Sequence, residues 1–177
     1  MELQTKRLFR WFWPWQDEQE EAWLSHLAGE RGLHLVSLAP PGIYTFAIGE
    51  PRAMVYRLDY QYLKGQDRPS YLQLFRDAGW EHVGQMSNWQ YFRRPVVEGE
   101  ENEIFTDPAS KAEKYRRVLP LLVLISILLG AQLRSSLYSR WPSTGLEVTR
   151  FLLFSVLMLL IYSIVRIGLR IRQLSPG

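Results

Sequence analysis

Two stretches of this sequence are apolar without interruption, and nearly everything before them alternates. Residues 118–133 and 151–165 contain no charge and present no polar face, a pattern expected of helices surrounded on all sides by apolar material. At 1.5 Å per residue each run spans roughly 22–24 Å, short of the ~30 Å hydrocarbon slab of a bilayer. The flanks extend the reach. Tyr115, Leu137, Tyr138 and Trp141 suit the lipid–water interface, and Arg116, Arg134, Arg150 and Arg166 have stems long enough to snorkel to the headgroups. The runs therefore predict a two-helix transmembrane hairpin, with spans at about 118–137 and 149–169. Pro120 is expected in the first turn of its span, where a missing N–H costs little. Ser126 and Gly130 form a small-xxx-small pair, suited to packing between the two spans and, more weakly, to self-association. No Asp, Glu, Lys or His lies inside either run, so no ion or proton pathway is expected.

The preceding residues read as short strands and two helices. Phe9, Trp11, Trp13 and Trp15 alternate with Arg10, Phe12 and Pro14, which predicts a strand over 9–15. Asp17 and Glu20 have capping-box spacing and predict a helix with Trp23, Leu24, Leu27 and Ala28 on one side, stopped by Gly29 or Gly32. Residues 33–38 and 43–48 flank Pro40-Pro41-Gly42 as a hairpin. The sequence then offers a strand at 54–62, a helix carrying Tyr71, Leu72, Phe75 and Ala78 and closed by Gly79, and strands on either side of Ser87-Asn88. Residues 24–36 and 72–83 thus play equivalent parts in two βαββ units. The expected fold is α+β: a duplicated βαββ unit forming a mostly antiparallel sheet with both helices on one face. In domain terms, residues 1–97 are a soluble α/β domain and 98–117 an acidic linker and juxtamembrane helix. Residues 118–177 are the hairpin. Asp107 is expected to cap the juxtamembrane helix, with Pro108 at its first position, giving a semi-rigid joint able to pass movement between domain and membrane.

Charge changes the picture less than the pI of about 9.3 suggests. Up to Arg117 there are fifteen basic and seventeen acidic residues, whereas six arginines stand against Glu147 alone afterwards. The basic excess belongs to the membrane part, so the soluble domain has no cationic surplus for phosphates and nucleic acid is not an expected partner. Seven cations flank the outer ends of the hairpin (Lys111, Lys114, Arg116, Arg117, Arg166, Arg170, Arg172) against three in its loop (Arg134, Arg140, Arg150). The positive-inside rule then places both termini in the cytoplasm of a multi-pass plasma-membrane protein. The start of the chain has no apolar signal-peptide core, in keeping with that topology. Cysteine is absent, which excludes disulfides and thiol chemistry.

Candidate chemistry is thin. His26, His34 and His82 have no second ligand at metal spacing, and are read as surface or hydrogen-bonded residues. The acids at 17, 18, 20 and 21 are accounted for by the first turn of a helix, and Asp59 by a strand-edge ion pair. No phosphate loop or nucleophile motif occurs, so neither enzyme activity nor a cofactor is expected. The aromatic load is the positive signal. Most of these rings are expected in the core, but one row could line an open face. There Trp11, Trp13, Trp15, Tyr44, Trp89 and Tyr91 would form a groove for a peptide, a cationic ligand or lipid headgroups, with Arg57, Arg93 and Arg94 as its rim.

Five segments carry a resemblance. Residues 11–24 (WFWPWQDEQEEAWL), 56–61 (YRLDYQ), 71–81 (YLQLFRDAGWE), 89–95 (WQYFRRP) and 104–111 (IFTDPASK) resemble, in this order, the uncharacterised bacterial membrane family DUF2812, found mostly in Gram-positive bacteria. The similarity runs over roughly residues 7–117. It implies a cytoplasmic domain, membrane helices behind it and no assigned activity. Members are often encoded beside regulators similar to the PadR type, which hints at signalling. Three functions are in view. The first is a membrane-anchored sensing or interaction module binding a protein partner, such as a regulator or another membrane protein. The second is a small-ligand or lipid-headgroup receptor using the aromatic groove, and the third an accessory subunit of a transporter or envelope enzyme.

Overall fold

The computed structural model describes residues 4–63, 65–97, 99, 108–137 and 144–174. The expected Asp107 cap, most of the acidic linker, and Tyr138 and Trp141 lie outside these residues. The chain divides into two compact units, Met1–Thr106 and Asp107–Gly177.

In the first unit, the order β-α-β-β occurs twice: β1 (Thr5–Phe9), α1 (Asp17–Arg31), β2 (Leu33–Ala39) and β3 (Ile43–Ile48), then β4 (Met54–Tyr60), α2 (Arg68–Asp77), β5 (Glu81–Met86) and β6 (Trp89–Pro95). The strands form two antiparallel sheets of three, β1-β3-β2 and β4-β6-β5, rather than the single sheet anticipated. Each hairpin has a register shift near its start, between Leu35 and Ser37 in β2 and between His82 and Gly84 in β5. A bulge of this kind increases local twist.

Nor do the helices share one face. Along β4, Met54, Tyr56 and Leu58 join the main core with Leu24, Leu27 and Ala28 of α1, Leu35, Tyr44 and Phe46 of the first sheet, and Tyr91. The alternate residue Val55 packs with Phe92, Trp80 and Phe75 of α2. Successive strand side chains point to opposite faces, so α1 and α2 cover β4 from opposite sides.

Helix α1 also closes an edge. The backbone N–H of Leu58 donates to Glu21 Oε1 at 2.8 Å, that of Tyr56 to Ser25 Oγ at 3.2 Å, and that of Arg52 to the carbonyl of Ala28 at 3.0 Å. The spacing explains the match. Four residues of helix advance ~6.0 Å, and two residues of strand ~6.6–6.8 Å, so Glu21 and Ser25 meet successive outward amides of β4. The free edge of a strand is thereby covered. Gly32 ends α1 in the left-handed region (φ 59°), and a Cβ there would meet the Gly49 carbonyl oxygen at 2.0 Å.

The predicted strand over 9–15 is displaced. Strand β1 ends at Phe9, opposite Ile43, where its partner turns away at Gly42. Beyond it, Pro14 has no N–H to give a ladder, and the Trp13 N–H donates to Gln16 Oε1 at 3.0 Å. Gln16, not Asp17, is the cap residue of α1.

The second unit consists of α3 (Pro108–Leu137) and α4 (Thr144–Leu174), packed together as a hairpin. Both are long and apolar enough to cross a membrane, and Leu124, Ile127, Leu128, Phe151, Leu152 and Phe154 leave most of their area exposed rather than covered by protein. The Arg150 guanidinium of α4 donates to the Ser136 carbonyl in the last turn of α3 and pairs with Glu147. It thus satisfies one of the carbonyls a helix end leaves open. Pro120 is not in a first turn: because α3 begins at Pro108, Pro120 lies inside the helix. A Cβ placed on Gly130 would meet nothing within 4 Å, so close approach of the two helices is not what requires glycine there.

Replacing Glu21 by alanine orphans the Leu58 amide and removes the carboxylate 3.6 Å from Arg57 Nη1. Unfolding in urea, followed by tryptophan fluorescence, should show a loss of about 1–3 kcal/mol, and Ser25→Ala a smaller loss at the neighbouring amide.

Candidate functional site

The first turns of α1 hold a run of acids, and three of them face inward: Asp17, Glu20 and Glu21 are all less than 8% exposed. Glu20 sits where the two sheets meet the helix. Its Oε1 accepts a hydrogen bond from the Tyr44 hydroxyl of β3 at 2.7 Å and another from the Tyr91 hydroxyl of β6 at 2.7 Å. Glu20 does not reach back to cap its own helix.

Burial dominates the electrostatics. It pushes the Glu20 carboxyl above its ordinary value, against the two phenol hydrogen bonds that favour the charged form, and the nearby Asp17 charge pushes it further up. Both tyrosines are raised, first by the same burial and then by the Glu20 charge, so they remain hydroxyl donors. Asp17 and Glu20, three residues apart on one helix face, line a small cavity of ≈ 60 Å³ together with Phe12, Trp13, Pro14, Met86, Trp89 and Tyr91. Around it Trp13 stacks on Trp15 with ring centroids 5.4 Å apart, Trp11 meets Trp13 edge-on at 5.6 Å, and Trp89 meets Tyr60 edge-on at 5.3 Å.

The nine residues proposed from the sequence fall into three groups. Trp13, Trp89 and Tyr91 line this cavity, and Trp15 and Trp11 continue from Trp13 in a chain of ring contacts, with Trp11 half-exposed. Tyr44 is core: it is 1% exposed and packs against Trp23, Phe46 and Phe12, so it lines no open face. Tyr91 is equally buried and reaches the cavity from within. The arginines do not form a shared rim. Arg57 pairs with Glu21 and donates to the Tyr56 carbonyl. Arg93 grips Glu81 through Nε and Nη2 at 2.8 and 2.7 Å, and its Nη1 reaches the Leu35 carbonyl of the other sheet at 2.9 Å. Arg94 lies over the Trp80 ring at 4.7 Å.

Asp17 and Glu20 are the residues the sequence reading assigned to the helix terminus and therefore passed over. The available signal was their spacing of three, which puts both on the side of Leu24 and Leu27. Asp59 also differs from expectation: it is buried and accepts from the Tyr71 hydroxyl of α2 at 2.8 Å. The histidines have local partners, His26 with Glu30, His34 with the Glu50 carbonyl and His82 with Gln90.

A family described only as a protein of unknown function, DUF2812, matches residues 16–127. The chain belongs to that family. The resemblance carried by the quoted segments is thereby established, and the match takes in α1, both sheets apart from β1, and the first part of α3. Of the cavity residues in this DUF2812 protein, Asp17, Glu20, Met86, Trp89 and Tyr91 lie within the match, while Phe12, Trp13 and Pro14 precede it. No curated protein and no solved structure matches the chain.

A carboxyl raised in the fold stabilises the protein most below its unfolded value of 4.5, and that contribution is lost as pH rises through the raised value. Glu20→Gln keeps a carbonyl oxygen for both phenols and removes the buried charge. Its unfolding midpoint should therefore be at least that of the parent at pH 7, with the gap closing toward pH 4. An equal deficit at every pH would show that the charge costs the fold nothing.

Proposed function

We propose that this DUF2812 protein is a membrane-anchored sensing module: its soluble unit takes up a small ligand in the cavity at Glu20, and the hairpin holds that unit at the membrane. The observation that carries the reading is the cavity itself. Buried carboxylates and aromatic side chains converge on a small cavity, in a chain that also contains two membrane-length helices. Costly buried charge beside a cavity is a common mark of a functional site. The soluble unit is placed in the cytoplasm, with both termini inside and two crossings, on the strength of the seven flanking cations against three in the loop. The two βαββ units are read as products of a duplication, supported by their matching strand orders and bulges.

A second reading has its own support. Phe9 and Trp11 are 67% and 51% exposed at the end of an edge strand, a surface suited to a protein partner that would carry the signal onward.

In the organism that carries the gene, Glu20→Gln at unchanged protein level should reproduce the transcriptional changes of a deletion strain. Deletion changes that Glu20→Gln does not reproduce would remove the cavity from the sensing role. Topology is tested separately: a reporter fused after Gly177 should be active only when it requires the cytoplasm, and activity confined to the outside would reverse the orientation.

A further inference from the structure

The chemistry of the Glu20 cavity selects among ligands. Its acidic side is Asp17 and Glu20, 2% and 5% exposed. Its remaining walls are Phe12, Trp13, Trp89 and Tyr91, completed by Pro14 and the thioether of Met86. Both phenols that serve Glu20 converge on the same oxygen, Oε1. Glu20 Oε2 accepts no hydrogen bond from any described residue, although the side chain that carries it is enclosed and lines the cavity. That oxygen is left open to accept a hydrogen bond from an occupant of the cavity.

Three classes of occupant can be compared. An anion would meet two carboxylates, which repel it. A neutral apolar molecule would strip water from the acids and give them no counter-charge. A cation gains, because the carboxylates neutralise it and electron-rich aromatic side chains line the same space. The Arg10 guanidinium lies over Phe12 at 4.9 Å and Trp23 at 5.0 Å, so it is held by these rings. Size narrows the choice. A space of ≈ 60 Å³, at ~10–15 Å³ per water on the same measure, has room for roughly four to six waters, enough for a small alkylammonium and too little for a large ligand. Aromatic walls favour an alkylated ammonium over a bare metal ion, which would require several hard oxygen ligands.

We infer that the cavity binds a small organic ammonium ion, with Asp17 and Glu20 supplying the charge, Glu20 Oε2 accepting its N–H, and Trp13, Trp89 and Tyr91 forming the aromatic wall. This rests on the sensing reading above and names its ligand class. The burial that holds the Glu20 carboxyl up is countered by a bound cation, so uptake releases protons as pH falls toward that carboxyl's own range.

The test uses the full chain in phosphatidylglycerol nanodiscs with fluorine-labelled tryptophan, each resonance assigned by single replacement. Methylammonium and trimethylammonium chlorides are titrated at constant ionic strength, beside sodium acetate and tert-butanol, the neutral counterpart of trimethylammonium. The expected result is a saturable shift of the Trp13 and Trp89 signals with an alkylammonium, with Trp80 unmoved. Glu20→Gln, which leaves the phenols an acceptor, should weaken binding by about tenfold or more. Saturation by tert-butanol or acetate with equal or higher affinity would overturn the ammonium assignment and leave a ligand-binding sensor. No saturable shift with any of the four compounds, in a protein whose tryptophan spectrum shows it folded, would overturn the ligand class and the sensing reading together. Repeating the measurement in phosphatidylcholine nanodiscs separates sources. Signals already shifted there, and not moved further by added ion, assign the ammonium to a lipid headgroup; signals unshifted until ion is added assign it to a free solute.

Discussion

One carboxyl oxygen ties the first unit together. Glu20 Oε1 takes a phenol from β3 and a phenol from β6, so a single atom on α1 is bonded to both three-stranded sheets. Without it, the two buried hydroxyls, which also reach one another, would be one acceptor short in the region where the sheets converge on the helix. The neighbouring acid, Glu21, fixes the same helix along the edge of β4, and Arg93 crosses from the second sheet to the Leu35 carbonyl of the first. The apolar core fills the space these polar links define, with Leu24, Leu35, Phe46 and Tyr56 fully enclosed. Hydrophobic burial supplies the bulk of the stabilisation, whereas the directional bonds decide how two small sheets are set around one helix.

That arrangement accounts for both what the sequence revealed and what it hid. Strands β3 and β6 and the ends of both helices were legible, because alternation, Gly32 and Gly79 are local signals that need no knowledge of the partner. The membrane-length helices were legible for the same reason: continuous apolar character is a property of the segment alone. The aromatic run at 9–15 misled because period-two spacing does not distinguish a strand from an irregular segment folded onto a helix, and Phe12 is seated on Trp23 and Tyr44 by tertiary contact. Pro120 was misplaced because the start of α3 lies ten residues before the apolar run begins. Hydropathy marks where apolar character begins, not where the backbone becomes helical.

The site was half legible. Trp13, Trp89 and Tyr91 stood out as large rings, yet nothing local showed that they would meet Asp17 and Glu20. An acid in the first turn of a helix ordinarily satisfies free amides and the dipole, and that sufficient explanation concealed a less common one. Only the pairing of strands from both halves shows that the acidic side of α1 is the enclosed side. The arginines misled in the opposite sense. Arg57, Arg93 and Arg94 looked like the polar rim of an aromatic groove, but each is committed to a partner in the fold, and the ionisable side chains that line the cavity are acids and a tyrosine.

Pro120 carries a mechanical implication. A continuous α-helix resists bending because every carbonyl is tied to an amide four residues on, and a proline deletes one tie while its ring crowds the preceding turn. In α3 the untied carbonyl belongs to Arg116, at the passage from the charged first turns to the apolar length. The helix is therefore best regarded as two stiff rods sharing a compliant coupling where the charged turns give way to the apolar length. Such a coupling yields to tilt more readily than the unbroken helix on either side of it.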